Sequence, residues 1–460
     1  MTDAGQTERQ DDSAARLAGR GSATTAHVRV VHGHSAGHVH EIRAAGTTTG
    51  RQAGDSSCDI QIDDNRMSRQ HVKIGRHASA WEVVDLGSRN GGFVDGGTLA
   101  SAGRADLEDG SVIRLGDTLL VFRASAPAVD TGADAPEFPG VSPAAAAVRR
   151  RIALLAAASG HALILGETGT GKERVARAIA EHRSPHPFVT QNCAELTREL
   201  ARSELFGHVR GAFSGATHDK PGLVDLAGKG VLFLDEIGEL ALDVQGDLLR
   251  FLEDGAYRPL GASELKHSTA RIVAATNVDL DQAVAGNKFR RDLVARLRAS
   301  NAPLELPPLR GRREDIPRWI RMFAREAGYA GDGEPWTVGA LECLLLYPWL
   351  ENLRELRGVI RALVADHDEL PFRTEDLPAR IISHRAVLRG HDGADPAVDP
   401  TPPQQDPTPA ELEDALRRTQ GRVRTAARQL GIERRKLYRL CERYGIAIDA
   451  HRSAAQLDDD

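Results

Sequence analysis

The chain has 460 residues and a formal net charge of −6, and 41% of its residues are hydrophobic while only 4% are aromatic. At roughly 150 residues per domain, this length suggests about three domains. The near-neutral charge excludes a wholly basic nucleic-acid coat and an acidic disordered chain. The four cysteines show no C-x-x-C spacing, and no apolar run approaches the roughly 18 residues of a membrane span. These features predict a cytoplasmic protein with no membrane contact.

The N-terminal third contains three segments that differ in composition and hydrophobic pattern. Residues 1–25 are polar and lack hydrophobic periodicity, which predicts a disordered tail. From 26 to 124, short alternating runs such as HVRVV and WEVVDL are separated by Gly, Asp and Asn. This pattern predicts a β-sandwich. A Pro- and Ala-rich stretch at 125–137 then predicts a linker.

Three short motifs of the predicted sandwich fall between its strands. They are Gly50-Arg51, Ser68-Arg69-Gln70-His71 and Asn90-Gly91. In this order they resemble the GR, SxxH and NG motifs of forkhead-associated domains, a resemblance that spans nearly all of 26–124. It implies a domain that binds phosphothreonine peptides, with Arg51, Ser68, Arg69 and Asn90 as ligands. The alternative is a structural sandwich that binds no phosphate.

Residues 138–385 alternate between helical and strand patterns, which predicts an α/β domain with a buried parallel sheet and a helical C-terminal part. Within it, GETGTGKE follows the apolar run HALILG and opens a helix. Glycines at a helix N-terminus let backbone N–H groups approach phosphate oxygens, and a lysine reaches the β- and γ-phosphates. The predicted ATP-binding residues are Gly166, Glu167, Thr168, Gly169, Thr170, Gly171, Lys172 and Glu173. The alternative is a glycine-rich turn with a chance lysine.

A pair of acidic residues follows a second apolar strand. The run Val231–Leu234 places Asp235 and Glu236 at the carboxyl end of a strand, where ligands bind in open α/β sheets. Asp235 is the predicted Mg²⁺ ligand, directly or through water, and Glu236 could also reach the metal through water. Glu236 is predicted to orient and deprotonate the attacking water. The phosphate loop and this pair together predict an ATPase that uses ATP and Mg²⁺.

Further motifs continue in the same order along the chain. They are ELFGHVRGAFSGA, ATN, FRRDLVARL, LPPLRGRREDI and YPWLENLRELR. With the phosphate loop, they resemble the AAA+ ATPases that activate the sigma-54 form of bacterial RNA polymerase, over residues from about 138 to 364. The resemblance implies a homo-oligomer, from a dimer to a hexameric ring, that hydrolyses ATP to remodel the closed polymerase complex.

The resemblance also implies roles for single residues. The GAFSGA loop would contact sigma-54 through Gly211, Ala212, Phe213, Ser214, Gly215 and Ala216, with Ser214 replacing the usual Thr. The remaining matches are Asn192 as the restraint on the catalytic glutamate, Thr276 and Asn277 as the first sensor, Arg290 and Arg296 as arginines that reach a neighbouring subunit's ATP, and Arg354 as the second sensor. For each arginine, the alternative is a surface salt bridge of little energetic weight.

The C-terminal part begins with a Pro-rich stretch at 386–408, which predicts an extended linker. Residues 409–448 resemble a Fis-type helix-turn-helix, and 449–460 form an acidic tail. From 411 to 446 there are ten basic and five acidic residues, so this segment carries +5 within a chain of −6. The predicted DNA contacts are Glu433, Arg434, Arg435 and Lys436 at base edges and Arg439 at phosphate. A solvated charged helix is the alternative.

Together these features predict a multidomain protein with a forkhead-associated β-sandwich, an α/β AAA+ ATPase with a helical lid, and an all-α helix-turn-helix. The predicted function is sigma-54-dependent transcriptional activation from enhancer DNA, controlled by a phosphothreonine-containing protein or a Ser/Thr kinase. One alternative is a DNA-binding regulator that acts without sigma-54 and uses ATP only for assembly. Another is a general remodelling ATPase with a phosphopeptide adaptor.

Overall fold

A computed structural model describes most of the chain. The described residues are 25–53, 58–125, 135–181, 186–331, 333–366, 371–389, 407–419, Val423, Ala426, Leu430, Leu437, Leu440, Cys441 and 443–446. The predicted N-terminal and acidic tails and most of both predicted linkers lie outside these ranges. The chain divides into two compact units, Met1–Asp392 and Gly393–Asp460. Among the described residues, no helix has the length and hydropathy needed to span a bilayer.

The first unit begins with a two-sheet sandwich. Its strands are β1 (Ala26–His32), β2 (Val39–Ile42), β3 (Thr47–Arg51), β4 (Ile60–Ile62), β5 (Val72–His77), β6 (Ala80–Asp85), β7 (Gly92–Val94), β8 (Gly97–Leu99), β9 (Arg104–Leu107), β10 (Val112–Leu115) and β11 (Thr118–Arg123). One sheet has the order β2-β1-β11-β10-β7-β8, and the other has the order β4-β3-β5-β6-β9. Alternating residues such as Val28, Ile74 and Val83 fill the space between the sheets. The predicted β-sandwich is confirmed.

Strand β11 departs from the alternation of its neighbours, because all six of its residues are buried. Leu120 and Phe122 face the sandwich core. Leu119 and Val121 point the other way and join a cluster of helical residues from the C-terminal half of this unit. A strand that is covered on both faces has a nearly continuous apolar run, as TLLVF shows.

The α/β part of this unit is a parallel sheet covered by helices. Its strands are β12 (Ala162–Leu165), β13 (Phe188–Asn192), β14 (Val231–Asp235), β17 (Arg271–Thr276) and β18 (Leu304–Glu305), in the order β13-β14-β17-β12-β18. A small hairpin, β15 (Ala256–Tyr257) and β16 (Lys266–His267), lies outside this sheet. The helices are α1 (Pro143–Ala157), α2 (Lys172–Glu181), α3 (Arg198–Phe206), α4 (Leu223–Ala227), α5 (Leu242–Asp254), α6 (Leu280–Ala285) and α7 (Arg291–Ser300).

The sheet is buried on both faces, which explains its continuous apolar strands. Along β14, Val231 and Phe233 pack into one core cluster, while Leu232 and Leu234 pack into the cluster on the opposite face. The strand therefore cannot shift by one residue without exchanging its two faces. This register holds Asp235, the last residue of the strand, at the carboxyl edge of the sheet.

The sheet is followed by a helical lid. A turn of 3₁₀-helix at Leu309–Asp315 connects β18 to α8 (Ile316–Glu326), α9 (Val338–Leu346), α10 (Asn352–Asp366) and α11 (Ala379–Arg389). Helix α11 ends at Arg389, inside the range that the sequence assigns to the second linker. The lid core contains three buried tryptophans, Trp319, Trp336 and Trp349, and shares its cluster with β11 of the sandwich.

The second unit contains helix α12 (Pro409–Arg418). Thr408 caps it, since its hydroxyl accepts the backbone N–H of Glu411, and the Glu411 carboxylate accepts the backbone N–H of Thr408 at 2.8 Å. A small apolar core is formed by Leu412, Ala415, Leu416, Val423, Ala426, Leu437, Leu440 and Cys441. Ala426 and Leu437 are completely buried there. The predicted fold class is confirmed for both units.

Candidate active site

The glycine-rich loop lies between β12 and α2, at the carboxyl edge of the parallel sheet. Gly169 and Gly171 have φ values of +76° and +106°, a backbone conformation that other residues rarely adopt. A Cβ on Gly169 would also lie 2.1 Å from the carbonyl oxygen of Glu351. Both the turn and the close approach of the lid therefore require glycine at this position.

Three predicted residues meet beside this loop. The Lys172 ammonium donates to the Gly166 carbonyl at 3.1 Å and lies 3.3 Å from Oε1 of Glu236. Asp235 accepts the backbone N–H of Glu236 at 3.0 Å. Burial, followed by the charge of Glu236, raises the pKa of Asp235. The site thus holds one buried ammonium against two adjacent carboxyl groups.

Asn277 joins the same site through two contacts. Its side-chain amide donates to the Thr168 hydroxyl at 2.9 Å, and its backbone N–H donates to Oε2 of Glu236 at 3.2 Å. Thr276 is buried and accepts the backbone N–H of Val278 with its hydroxyl, so its side chain shapes the turn.

Asn192 has a different partner from the one that the resemblance implies. Its side-chain oxygen accepts the backbone N–H of Ala194 at 3.0 Å and caps the short turn Cys193–Glu195. The carboxylate of Glu236 is instead held by Lys172 and Asn277. Asn192 does line the same cavity as Glu236.

The loop and the acidic pair open into a cavity of about 730 Å³ between the sheet and the lid. Its wall combines aromatic and cationic side chains, which suits a base and a phosphate chain. The lining residues outside the loop are Phe138, Arg174, Asn192, Asp235, Glu236, Trp319, Met322, Phe323, Glu326, Leu353, Arg354, Arg357, Gly358 and Arg361. Arg354, the predicted second sensor, is among them, whereas Trp319 and Arg361 carry no sequence motif that singled them out.

The lid supports the phosphate loop through contacts that the sequence did not reveal. Asn352 is fully buried, donates to the Thr168 carbonyl at 3.0 Å and accepts the backbone N–H of Leu309 at 2.7 Å. Arg310 forms a two-pronged ion pair with Glu167, at 2.8 Å and 2.5 Å. This pairing lowers the pKa of Glu167.

The two arginines that are predicted to reach a neighbouring subunit's ATP, Arg290 and Arg296, do not line this cavity. Arg290 is exposed and pairs with Asp292 at 3.0 Å and 2.7 Å. Arg296 donates to the backbone carbonyls of Leu252 and Glu253 at 3.0 Å and 3.1 Å. Arg290 therefore has a side chain that another subunit could recruit, whereas Arg296 holds the end of α5.

The GAFSGA loop projects from the ATPase core as a tight turn. Gly211 and Gly215 have positive φ values, and the Gly211 N–H donates to the Ala216 carbonyl at 2.8 Å. Phe213 is exposed, and its ring lies 5.0 Å from that of His208. Ser214 is also exposed, whereas Ala216 is buried beneath the turn. The loop therefore presents an aromatic ring and a hydroxyl to a partner.

The loops with the forkhead-associated motifs meet at one end of the sandwich. The backbone N–H of Arg51 donates to the Ser68 carbonyl at 2.8 Å, and the Ser68 hydroxyl accepts the backbone N–H of Arg89. Asn90 donates to the Arg66 carbonyl at 2.9 Å.

The remaining motif residues divide between the loop surface and the core. Arg69 is exposed, and a Cβ on Gly50 would lie 2.0 Å from the Arg69 carbonyl oxygen, which explains the glycine. His71 is buried behind the loops, 2.9 Å from the Gly91 carbonyl. The predicted DNA-contacting residues, Glu433, Arg434, Arg435, Lys436 and Arg439, all lie outside the described residues.

Comparison with known families gives four matches in chain order. Residues 47–116 match the FHA domain, 138–302 the sigma-54 interaction domain, 310–392 an AAA+ ATPase lid domain, and 410–444 the Fis family of bacterial regulatory proteins. The predicted order of domains agrees with these matches.

Similar proteins include two bacterial regulators and one solved structure. The alginate biosynthesis transcriptional regulatory protein AlgB of Pseudomonas aeruginosa is 40% identical over 319 residues, which cover 66% of this chain and 67% of that protein. The nitric oxide reductase transcription regulator NorR1 of Cupriavidus necator is 35% identical over 393 residues, with coverages of 79% and 76%. The structure of NtrX from Brucella abortus in complex with ATP aligns at 30% identity with a TM-score of 0.49, covering 66% of this chain and 69% of that chain.

The site geometry predicts separate effects on binding and turnover. Glu236→Gln should keep ATP affinity within about threefold but lower ATP turnover at least about a hundredfold, because the amide cannot take a proton from water. Glu239→Gln, which alters a nearby exposed carboxylate, is the control and should leave turnover unchanged. Phosphate release and nucleotide titration measure the two quantities. Normal turnover by the Glu236 variant would exclude the role of this carboxylate.

Proposed function

Because the chain belongs to the family of bacterial sigma-54-dependent transcriptional activators, which have an AAA+ ATPase domain, we propose that it remodels the closed complex of sigma-54 RNA polymerase by hydrolysing ATP as a ring. Enhancer DNA and a phosphothreonine signal are its proposed further ligands. The observation that carries the proposal is the convergence of Lys172, Asp235 and Glu236 on one cavity at the phosphate loop, with Asn277 bound to Glu236 and Thr168.

The ATPase chemistry follows from the charges in this cavity. The phosphates of ATP attract the Lys172 ammonium, which now lies 3.3 Å from Glu236, and so loosen its hold on that carboxylate. Glu236 is then free to orient and deprotonate the attacking water. Asn277 contacts both Glu236 and Thr168 of the phosphate loop. It therefore links the position of the Glu236 carboxylate to the presence of the γ-phosphate.

The donor set also fits Mg²⁺. Asp235 and Glu236 are adjacent carboxyl groups at the end of β14, and their mutual repulsion contributes to the raised pKa of Asp235. A divalent cation relieves such repulsion, and carboxylate oxygens are ligands that Mg²⁺ prefers. Asp235 is the proposed ligand, and Glu236 a further one through water. When bound, Mg²⁺ neutralises charge on the phosphate oxygens. Glu173, the last residue of the phosphate loop, is instead exposed and pairs with Arg177 at 3.1 Å.

The proposed ring rests on the exposed arginine at the start of α7. Arg290 does not line the cavity of its own chain and is paired only on the surface, with Asp292. In a ring it would exchange this carboxylate for the ATP of the neighbouring subunit, where a cation stabilises the transition-state charge. Arg296 is bound to two carbonyls of α5, so we assign it the role of keeping Arg290 and α7 in place.

Three further contacts, with sigma-54, with a phosphothreonine peptide and with DNA, complete the proposal. The exposed Phe213 and Ser214 of the GAFSGA loop form the proposed contact with sigma-54. Arg51, Ser68, Arg69 and Asn90 form the proposed phosphothreonine site, because a guanidinium and a hydroxyl are strong phosphate ligands on loops that already contact each other. For DNA, the support is the +5 charge of 411–446 and the Fis-family match.

The sigma-54 contact can be tested by open-complex formation in vitro with sigma-54 polymerase. Phe213→Ala should lower open-complex formation at least about tenfold while the ATPase rate changes by less than about twofold, because the ring lies outside the ATP cavity and carries much of the exposed apolar surface of the loop. Leu154→Ala removes another exposed apolar side chain of the ATPase core and should have no effect.

Two results would contradict this part of the proposal. One is wild-type activity of the Phe213 variant. The other is a response of a sigma-70-type polymerase alone, which would favour a DNA-binding regulator in which ATP controls only assembly.

The phosphothreonine site can be tested with a panel of degenerate peptides centred on phosphothreonine, by fluorescence anisotropy. Arg51→Ala should weaken binding at least about tenfold, because it removes charged hydrogen bonds to phosphate. Arg76→Ala is the control, since this exposed arginine lies at the opposite end of β5 from Ser68 and Arg69. If the Arg51 variant binds as well as wild type, or if the panel shows no preference over unphosphorylated peptides, the assignment is wrong.

A further inference from the structure

The sandwich and the lid share a buried interface. Leu119 and Val121 of β11 pack into the lid cluster, and Trp336 of the lid donates from its indole N–H to His32 of β1 at 3.4 Å. Arg114 of β10 contacts Glu342 of α9 at 3.1 Å. The sandwich is therefore attached to the ATPase by both apolar packing and ion pairs.

The most buried of these ion pairs lies at the end of β11. Arg123 donates from Nε to Oε1 of Glu314 at 2.8 Å, and its Nη2 contacts both Oε2 of Glu314 and the Gly311 carbonyl. Its third nitrogen donates to Asp109 at 2.8 Å. Both Arg123 and Glu314 are buried, and these carboxylates raise the pKa of Arg123 against the effect of burial.

Glu314 belongs to the turn Leu309–Asp315, which also contacts the phosphate loop. Arg310 pairs with Glu167, and Arg312 donates to the Thr170 carbonyl at 3.2 Å. Within this one turn, Gly311 and Glu314 face the sandwich, whereas Arg310 and Arg312 face the phosphate loop. A shift of the turn at the sandwich therefore moves the groups that support the loop.

Arg312 depends on the backbone of this turn for its position. It is completely buried, and its guanidinium lies 4.4 Å from the centre of the Phe138 ring. Among the described residues, its Nε and Nη1 have no hydrogen-bond partner. With one hydrogen bond and one ring contact, the side chain has few anchors of its own.

Asp315 adds a reason why Glu314 must stay paired. It is completely buried and accepts three hydrogen bonds, from the backbone N–H groups of Val141 and Ser142 and from the Ser142 hydroxyl, at 2.6 Å, 2.8 Å and 2.7 Å. Burial, followed by the charge of Glu314, raises its pKa to about 6. Without Arg123, Glu314 would lose its ion-pair partner while it lies buried next to Asp315 in the chain, and we expect the turn to move so that Glu314 is hydrated.

We propose that Arg123 of the sandwich is a positioning residue for the ATP site, acting through Glu314 and the turn Leu309–Asp315. It keeps Arg312 beneath Thr170 and Arg310 against Glu167, so the phosphate loop is preorganised for nucleotide. The inference concerns nucleotide binding by a single chain. It therefore stands or falls independently of the proposed ring and of the proposed action on sigma-54 polymerase.

The test is calorimetric titration of the full chain with ADP and Mg²⁺. Arg123→Gln should weaken ADP binding about tenfold, because it leaves Glu314 unpaired. ATP turnover at saturating ATP should stay within about twofold, since the loss affects ground-state and transition-state binding equally. Arg114→Gln is the matched control: it breaks an ion pair of the same interface, to Glu342, which lies on α9 rather than on the turn. Its ADP affinity should stay within about twofold.

The double variant Arg123→Gln with Glu314→Gln tests whether Arg123 acts on the ATP site through Glu314. Two neutral amides leave no unpaired buried carboxylate, because Asp109, the other partner of Arg123, is exposed to water. ADP affinity should therefore return to within about threefold of wild type. Equal weakening in the single and double variants would show that Glu314 is not the intermediary and would overturn the proposal. Equal weakening of ADP binding by Arg123→Gln and Arg114→Gln would also overturn the proposal. The loss of any ion pair between the sandwich and the lid would then explain the effect.

A conservative variant covers the case in which Arg123→Gln does not fold. Arg123→Lys keeps the charge but has one nitrogen where Arg123 uses two for Glu314, so it should weaken ADP binding about threefold. Wild-type affinity of this variant, with wild-type turnover, would overturn the proposal.

Discussion

The structure depends on one constraint: the carboxylates buried in the turn Leu309–Asp315 must be paired, and the contacts of this turn come from three different parts of the chain. Arg123 of the sandwich holds Glu314, the residues before α1 hold Asp315, and the phosphate loop accepts Arg312. A buried charge that loses its partner is strongly destabilising, so these parts cannot move independently without a large penalty. The lid, which begins at this turn, is positioned by the same contacts.

The ATP site shows a second use of paired charges. Lys172 and Glu236 pair at the edge of the sheet, and the roles proposed for them require them to separate. In the proposed mechanism, nucleotide provides the competing charge for Lys172, so the same event that fills the site prepares Glu236. Arg290 is likewise paired on the surface with a carboxylate that a stronger anion can replace. In the proposed mechanism, ATP and a neighbouring subunit replace these resting contacts.

The features that the sequence predicted are those that depend on local motifs. The phosphate loop, the acidic pair after β14 and the loops of the sandwich each depend on residues close together in the chain, so their chemistry is visible in short segments. The pairing of Arg123 with Glu314 joins residues 191 positions apart, and no short pattern in one sequence indicates it. One signal was available: the run TLLVF lacks the alternation expected of a half-exposed strand, which indicates a covered outer face. The role of Asn352 also arose only from tertiary contacts.

Through Arg123, the proposal couples the sandwich and the turn to the ATP site as one unit. Hydrogen exchange of the full chain with and without ADP measures this coupling. ADP should slow amide exchange in β10 and β11, residues 112–123, as well as in the phosphate loop, while the β5–β6 hairpin at 72–85 should be unchanged. Slower exchange in the phosphate loop with no change at 112–123 would contradict the coupling.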